Sequence, residues 1–323
     1  MRLLAASAVL MAAPAVASAQ GTPPTSSYPA QTVRMIVATA AGGGLDAFAR
    51  VLARDFSAKA GQQFIVENRP GAGTMIASTA VARVKPDGYT VLVNTSAFAI
   101  IPALYQSLPY DPLRDFTPVT LGVSTPNMMV VHPSVPAKSI NDIIALAKSR
   151  AALGDPILYA SGGNGTNGHM ATALFLSMAK IHMTHVPYRS GSLGEIDLIA
   201  GQVAMMTDSL SSVIAHVRSS KLRALGVSSL RRAAAAPNIP TIAESGVPGY
   251  ESAQWYGLFA RAGTPQDIID WLYRETASSL RATSTKERLA ADGLEVIANT
   301  PDEFATVIRA DIAKWIKVVQ TTG

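Results

Sequence analysis

The 323-residue chain reads as an α/β protein of two units, each a mostly parallel sheet flanked by helices. Its length suits two domains at about 100–200 residues apiece. Short β-branched runs alternate with helical segments, the order that lays parallel strands beneath crossover helices. Two glycine-rich loops, at residues 42–44 and 162–168, each stand where a strand hands over to a helix.

In chain order, residues 33–39 form a β-branched strand, and Gly42-Gly43-Gly44 leads into a helix from Asp46 to about Ala60. Residues 63–67 are the next strand. Asn68-Arg69-Pro70-Gly71-Ala72-Gly73 then turns into a helix ending near Lys85, and Pro86-Asp87-Gly88 is a turn before the strand at 90–94. The second unit opens with a strand at 128–132. Ser139, with Asp142 three residues on, resembles a capping box for the helix to Arg150. A strand at 157–161 passes through the second glycine loop into a helix from His169 to about Lys180. Strands at 184–188, 203–207 and 223–228 alternate with helices at 194–200 and 211–219. A strand at 255–260 and helices at 265–282, 285–292 and 301–319 follow, the helices expected to pack back on the first unit. Joints between the units are expected near residues 122–127 and 240–249.

Composition removes several classes of function. Charged residues are 15% of the chain, against roughly 25% in an average globular protein, so it is no disordered or highly solvated sequence. There is no cysteine, which removes disulfide scaffolds, zinc–thiolate and iron–sulfur sites, and cysteine nucleophiles. The net charge of +5 is dispersed, with Arg231-Arg232 its longest basic run, so no nucleic-acid partner is expected. Residues 1–19 have the build of a signal peptide. Arg2 precedes an apolar stretch from Leu3 to Ala13, Pro14 breaks it, and Ala17-Ser18-Ala19 marks cleavage before Gln20. With no cysteine beyond that point, a secreted protein without a lipid anchor is expected.

Gly42-Gly43-Gly44-Leu45-Asp46-Ala47 fits the loose dinucleotide form G-x-G-x-x-A, and Glu67 stands about where a ribose-binding acid belongs. Gly163-Asn164-Gly165-Thr166-Asn167-Gly168 fits G-x-G-x-x-G, yet no acid follows until Glu195. A secreted chain has little access to nicotinamide cofactors, so no cofactor is expected. What both loops share is backbone N–H groups at a helix N-terminus, which favour an anion. Ser161, Asn164, Thr166 and Asn167 add neutral donors suited to a carboxylate. No G-x-S-x-G elbow or zinc-binding H-E-x-x-H motif exists. His182 and His185 lack a third ligand nearby, so no metal and no catalytic residue are expected. His169 is a candidate ligand contact and Asp46 a helix-cap or dipole partner. Asp208, at a strand end, is placed to face a crevice.

Several strings add to this in order along residues 28–323. They include Tyr28-Pro29, Gly42-Gly43-Gly44-x-Asp46, Val66-Glu67-Asn68-Arg69-Pro70-Gly71-Ala72-Gly73 and Pro86-Asp87-Gly88-Tyr89-Thr90. Further on come Gly163-Asn164-Gly165-Thr166 with His169, His185-Val186-Pro187-Tyr188, Ala200-Gly201-Gln202-Val203 and Trp255-Tyr256-Gly257-Leu258-Phe259-Ala260. Together they resemble the Bug family, the extracytoplasmic solute receptors of tripartite tricarboxylate transporters.

The resemblance implies a two-lobed periplasmic binding protein of the Venus-flytrap, type II-like kind. Lobe 1 would be residues 28–126 plus 247–323, and lobe 2 residues 127–246. It implies a non-enzymatic, monomeric receptor in the periplasm, with a small organic acid as ligand and transporter membrane subunits as partners. Carried over position by position, the ligand contacts would be Ala40, Ala41, Gly42, Gly43, Gly44 and Asp46 on one side. On the other they would be Ser161, Asn164, Gly165, Thr166 and His169, with Asp208 contacting ligand polar groups. The alternatives are a sensory receptor serving a signalling partner, or a secreted α/β hydrolase or oxidoreductase. Departures from the family pattern are Ala41 for proline, Leu45 for threonine, and Thr74-Met75 where glycine and asparagine are common. Thr207 and Ser209 replace phenylalanine and asparagine around Asp208, and residues 190–194 also differ.

Overall fold

β-branched and apolar runs too short to bury themselves singly have to share a sheet, and here nearly all of them share one. The structure, a computed structural model, describes residues 28–322, so the expected signal peptide and its cleavage point lie outside the described residues. The chain runs β1 (Val33–Val37), α1 (Gly44–Ala60), β2 (Phe64–Asn68), a 3-10 turn at Ala72–Thr74, α2 (Met75–Ala82), β3 (Thr90–Thr95), α3 (Ala97–Leu104) and β4 (Phe116–Val131). It continues through α4 (Ile140–Ala152), β5 (Leu158–Ser161), α5 (Asn167–Ala179), β6 (Thr184–Pro187), α6 (Gly191–Ile199), β7 (Met205–Ser209), α7 (Leu210–Arg218) and β8 (Arg223–Val227). Last come β9 (Ala253–Arg261), α8 (Gln266–Arg281), α9 (Thr283–Ala291), β10 (Glu295–Val296) and α10 (Pro301–Thr322).

The sheet order is β2-β1-β3-β9-β4-β7-β5-β6, with β8 and β10 paired to β4. β1 lies parallel to β2 and β3 at one end, and β5 parallel to β6 and β7 at the other. Between the trios, β9 and β4 run antiparallel to their neighbours. The first lobe's core collects Val37, Leu92, Phe98, Phe259, Leu280 and Phe304, so the C-terminal helices do pack back on the first unit. The second lobe has a core on each face of its sheet. Met129 and Val131 join Ile140, Phe175 and Tyr250, while Met128 and Val130 join Leu198 and Val213. That division is the two-residue period of β4 written in side chains. Ser139 caps α4 by accepting from the Asp142 N–H, and Asp142 Oδ2 accepts from the Lys138 N–H, a reciprocal pair close to a capping box.

Residues 122–127, where a joint between the units is expected, lie inside β4, a strand of 16 residues. Pro118, Gly122 and Pro126 mask it in the sequence, since proline cannot donate to a ladder and glycine weakens a strand. Register shifts opposite β9 accompany the first two, at Pro118/Thr120 and Leu121/Val123, while Pro126 pairs with Ala253 in unbroken register. α3 went unread because it is almost wholly apolar and contains Pro102, which leaves no helical stripe to detect. Among the described residues no helix is long and apolar enough to cross a membrane.

Candidate functional site

A cavity of about 260 Å³ lies between the two trios of parallel strands, lined from both lobes. Its first wall starts where β1 ends. Ala38, Thr39, Ala40, Gly42, Gly43 and Gly44 line it, and α1 begins there with Gly43 at the N-cap position. Gly42 needs its glycine because its φ is +89°. Asp46 does not line the cavity; it holds the loop from behind. Its carboxylate accepts from the Gly42 N–H at 3.0 Å, Arg50 Nε at 2.9 Å and Asn68 Nδ2 at 3.0 Å, and Asn68 also donates to the Thr39 carbonyl. Burial works against ionising Asp46, but the bonds from Arg50, Gly42 and Asn68 outweigh it and hold the carboxyl below its ordinary range. Ala41 is exposed and outside the lining.

Asn68 explains one role of the Asn-Arg-Pro-Gly-Ala-Gly string, which braces the first loop and then supplies Pro70, Gly71, Gly73 and Thr74 to the cavity. A Cβ on Gly73 would stand 2.7 Å from the Asn164 carbonyl oxygen, so this string touches the second glycine loop across the lobes there. Glu67 is occupied otherwise: Arg34 and Arg69 both bond it, which leaves no ribose-binding acid for the dinucleotide pattern.

The second wall is built on the strand-to-helix turn after β5. Gly162, Thr166, Asn167 and Gly168 line the cavity at the start of α5; Ser161, Asn164, Gly165 and His169 do not. Ser161, Gly165 and His169 shape the loop instead. Ser161 Oγ accepts from the Gly163 N–H at 3.0 Å and lies 2.6 Å from His185 Nε2. Thr166 Oγ1 donates to the Gly163 carbonyl, and His169 Nδ1 accepts from the Gly165 N–H. The His169 ring stacks on His185 at 4.3 Å, which in turn stacks on Tyr159 at 4.9 Å. Burial lowers His169, and burial together with His169 pushes His185 down to about 4, so both rings are neutral near pH 7. The stack is a support rather than a positive charge.

Asp208 lies where the sequence put it, at the end of β7 on the cavity wall. Residues near it that sequence reasoning passed over complete this side: Arg189, Ser190, Gly191, Ser192 and Glu195 around the start of α6, and Ser209, Ser211, Ser212 and His216 on α7. The starts of α1, α5, α6 and α7 therefore converge on one space. The available signal was the serine at each of the last two helix starts, since Ser190 caps α6 and serines cluster directly after Asp208. Glu195 is only 9% exposed, and burial with the nearby Asp208 pushes its carboxyl up. Burial likewise raises Asp208, although the Ser209 N–H bond opposes it.

Contacts across the lobes frame the floor. Tyr256 of β9 lies within hydrogen-bond reach of Ser209 and Ser211. Asn167 Nδ2 donates to Ser96 Oγ at 2.9 Å and to the Ala253 carbonyl at 3.1 Å, while its Oδ1 accepts from Asn127 Nδ2 at 2.6 Å. Ile100 of α3 and Trp315 of α10 bury Met170 of α5 beside this network.

Residues 48–323 match the family model described as the tripartite tricarboxylate transporter family receptor. Protein BugT of Bordetella pertussis is 33% identical over 324 residues, spanning all of this chain and 98% of BugT. A solved R. palustris protein with adipate superposes with a TM-score of 0.88 at 34% identity, covering 92% of this chain and 98% of that one. MatC from Rhodopseudomonas palustris with bound malate gives a TM-score of 0.86 at 29% identity over 90% of this chain and 100% of its own.

Proposed function

The chain belongs to the tripartite tricarboxylate transporter receptor family, and from that premise we propose that its cavity captures a small organic carboxylate in the periplasm and delivers it to transporter membrane subunits. The observation that carries the reading is the convergence of four helix N-termini and both glycine loops on one cavity between the lobes. Unpaired N–H groups at such termini favour an anion, and those of α1 start at glycines, where backbone can approach a ligand closely. Solved relatives support the ligand class, since one was obtained with adipate and another with malate.

In this reading Ala40, Gly42, Gly43 and Gly44 contact the ligand from one lobe, and Thr166 and Asp208 from the other. Asp46, Ser161, Gly165 and His169 keep the loops in shape, and Ala41 and Asn164 lie outside the cavity lining. The moving bodies are residues 28–126 with 247–323, and residues 127–246, acting as a monomer that changes population between open and closed forms. The receptor performs no chemistry on its ligand.

Mass spectrometry of ligand released from gently purified protein identifies the acid, and calorimetry then compares it with its amide. Charge-assisted bonds are roughly twice as strong as neutral ones, so the amide should bind about 100-fold more weakly. Equal affinity for acid and amide would remove the anion reading. Pull-down of transporter membrane subunits by the loaded receptor separates transport from sensing; capture of a signalling protein instead would overturn delivery.

A further inference from the structure

Five titratable side chains line the cavity: Arg189, Glu195, Asp208, His216 and Tyr256. Arg189 is exposed, and Tyr256 is a buried phenol held against serines. The other three meet on the second lobe's wall. Glu195 is nine-tenths buried on α6, makes no hydrogen bond, and has His216 Nε2 at 3.8 Å from its Oε2 as its nearest basic group. Asp208, on β7, spends Oδ1 on the Ser209 N–H at 2.7 Å, whereas Oδ2 has no hydrogen-bond partner and lies against Gly191. Glu195, buried in the wall, and Asp208, half-buried beside it, thus stand within electrostatic reach of each other. A buried carboxyl with no hydrogen bond, as Glu195 is, costs free energy when ionised, and the approach of a second carboxyl adds to that cost. Across the cavity, the start of α1 presents the opposite polarity.

Resting on the carboxylate reading above, we propose that the ligand is an amino carboxylate, its carboxylate seated at the α1 loop and its ammonium, a methylene chain away, donating to Glu195 and Asp208. The ammonium supplies the donors both acids lack and cancels the repulsion between them. A second carboxylate at this end would have to be met by two protonated acids, while Arg189 stays out on the rim. The cavity of about 260 Å³ suits a short chain.

Calorimetry on the mature protein tests this with a length series from 3-aminopropanoate to 6-aminohexanoate, the matching α,ω-dicarboxylates and the matching monocarboxylates. At least one amino carboxylate should bind tenfold or more tightly than both of its matched partners. Its affinity should rise from pH 5.5 to 8, as Glu195 and Asp208 ionise. E195Q should abolish the preference, and D208N should weaken it independently, with thermal melts checking that each variant is folded. Tighter binding of a dicarboxylate, with no loss in either variant, overturns the amino-carboxylate assignment and leaves the carboxylate reading standing. If no member of any series binds, the amino-carboxylate assignment falls and the acid released from the native protein decides the carboxylate reading.

Discussion

Gly43→Ala separates a glycine needed for binding from one needed for folding. Gly43 has φ −88° and ψ 172°, which any residue adopts, and a Cβ built there meets nothing nearer than the Ala40 carbonyl oxygen at 4.0 Å. Replacing an N-cap glycine by alanine costs at most about 1 kcal/mol. The lost chain freedom of the unfolded state returns about 0.4–1 kcal/mol, so the melting temperature should hardly move. The methyl group nevertheless enters the cavity at the start of α1 and keeps a carboxylate off the N–H groups. Losing one charge-assisted bond of about 1.5–3 kcal/mol weakens binding about 10–150-fold. Calorimetry of the acid released from the native protein reads this, beside a thermal melt. Gly42→Ala is the contrast: its φ of +89° makes the backbone strained, so stability should suffer as well. Gly165 gives no such test, because φ is +78° and a Cβ would press on Ile101 and Leu104 at 2.8 and 2.9 Å. Unchanged affinity in a normally stable Gly43→Ala protein would refute the anion seat at α1.

Asp208→Ala should weaken ligand binding by about 1.5–3 kcal/mol in calorimetry, and full affinity with unchanged melting would assign Asp208 to the wall alone. Asp46→Asn should lower the melting temperature at pH 7 by loosening the first loop. Because the folded carboxyl lies below its ordinary value near 3.9, its contribution is complete above that value and is lost as pH falls through the folded value; the gap between wild type and variant should therefore narrow once pH falls below about 4. Asn167→Ala removes bonds to Ser96, Ala253 and Asn127, and denaturant unfolding should show a loss of about 1–3 kcal/mol. The intact mass of exported protein should begin at Gln20, and full-length chain retained in the membrane would contradict the signal-peptide reading.

The parallel trios and their helices were legible because β-branched runs, glycine turns and caps such as Ser139 are local signals. Both glycine loops and Asp208 were legible for the same reason. β4 was not, since Pro118, Gly122 and Pro126 all argue against a strand, and the register shifts beside the first two show only in the pairing with β9. Nor could the sequence sort lining residues from supporting ones. Asp46 and His169 differ from Thr166 and Asp208 by which way a loop turns them, and that depends on partners far along the chain, such as Asn68 for Asp46 and His185 for His169. Glu195 was invisible as a site residue because a single acid near a helix start looks like a solvated or dipole-matched one until its neighbours bury it.

The continuity of β4 has a mechanical consequence. At about 3.3 Å per residue its 16 residues make a rod of roughly 50 Å, bonded to β9 over its first part and to β7 and β8 over its last. Rotation of one lobe against the other must be taken up by twisting this ribbon, because there is no slack peptide at that crossing to swivel. Pro126 marks the easiest place to twist, having no N–H to give up, and the register shifts on either side let neighbouring strands slide without tearing the ladder. Such an element behaves as a torsion spring: its stiffness opposes displacement and drives recoil. Substitutions at positions 118–126, none of which lines the cavity, should then alter how fast the receptor lets go without altering what it recognises.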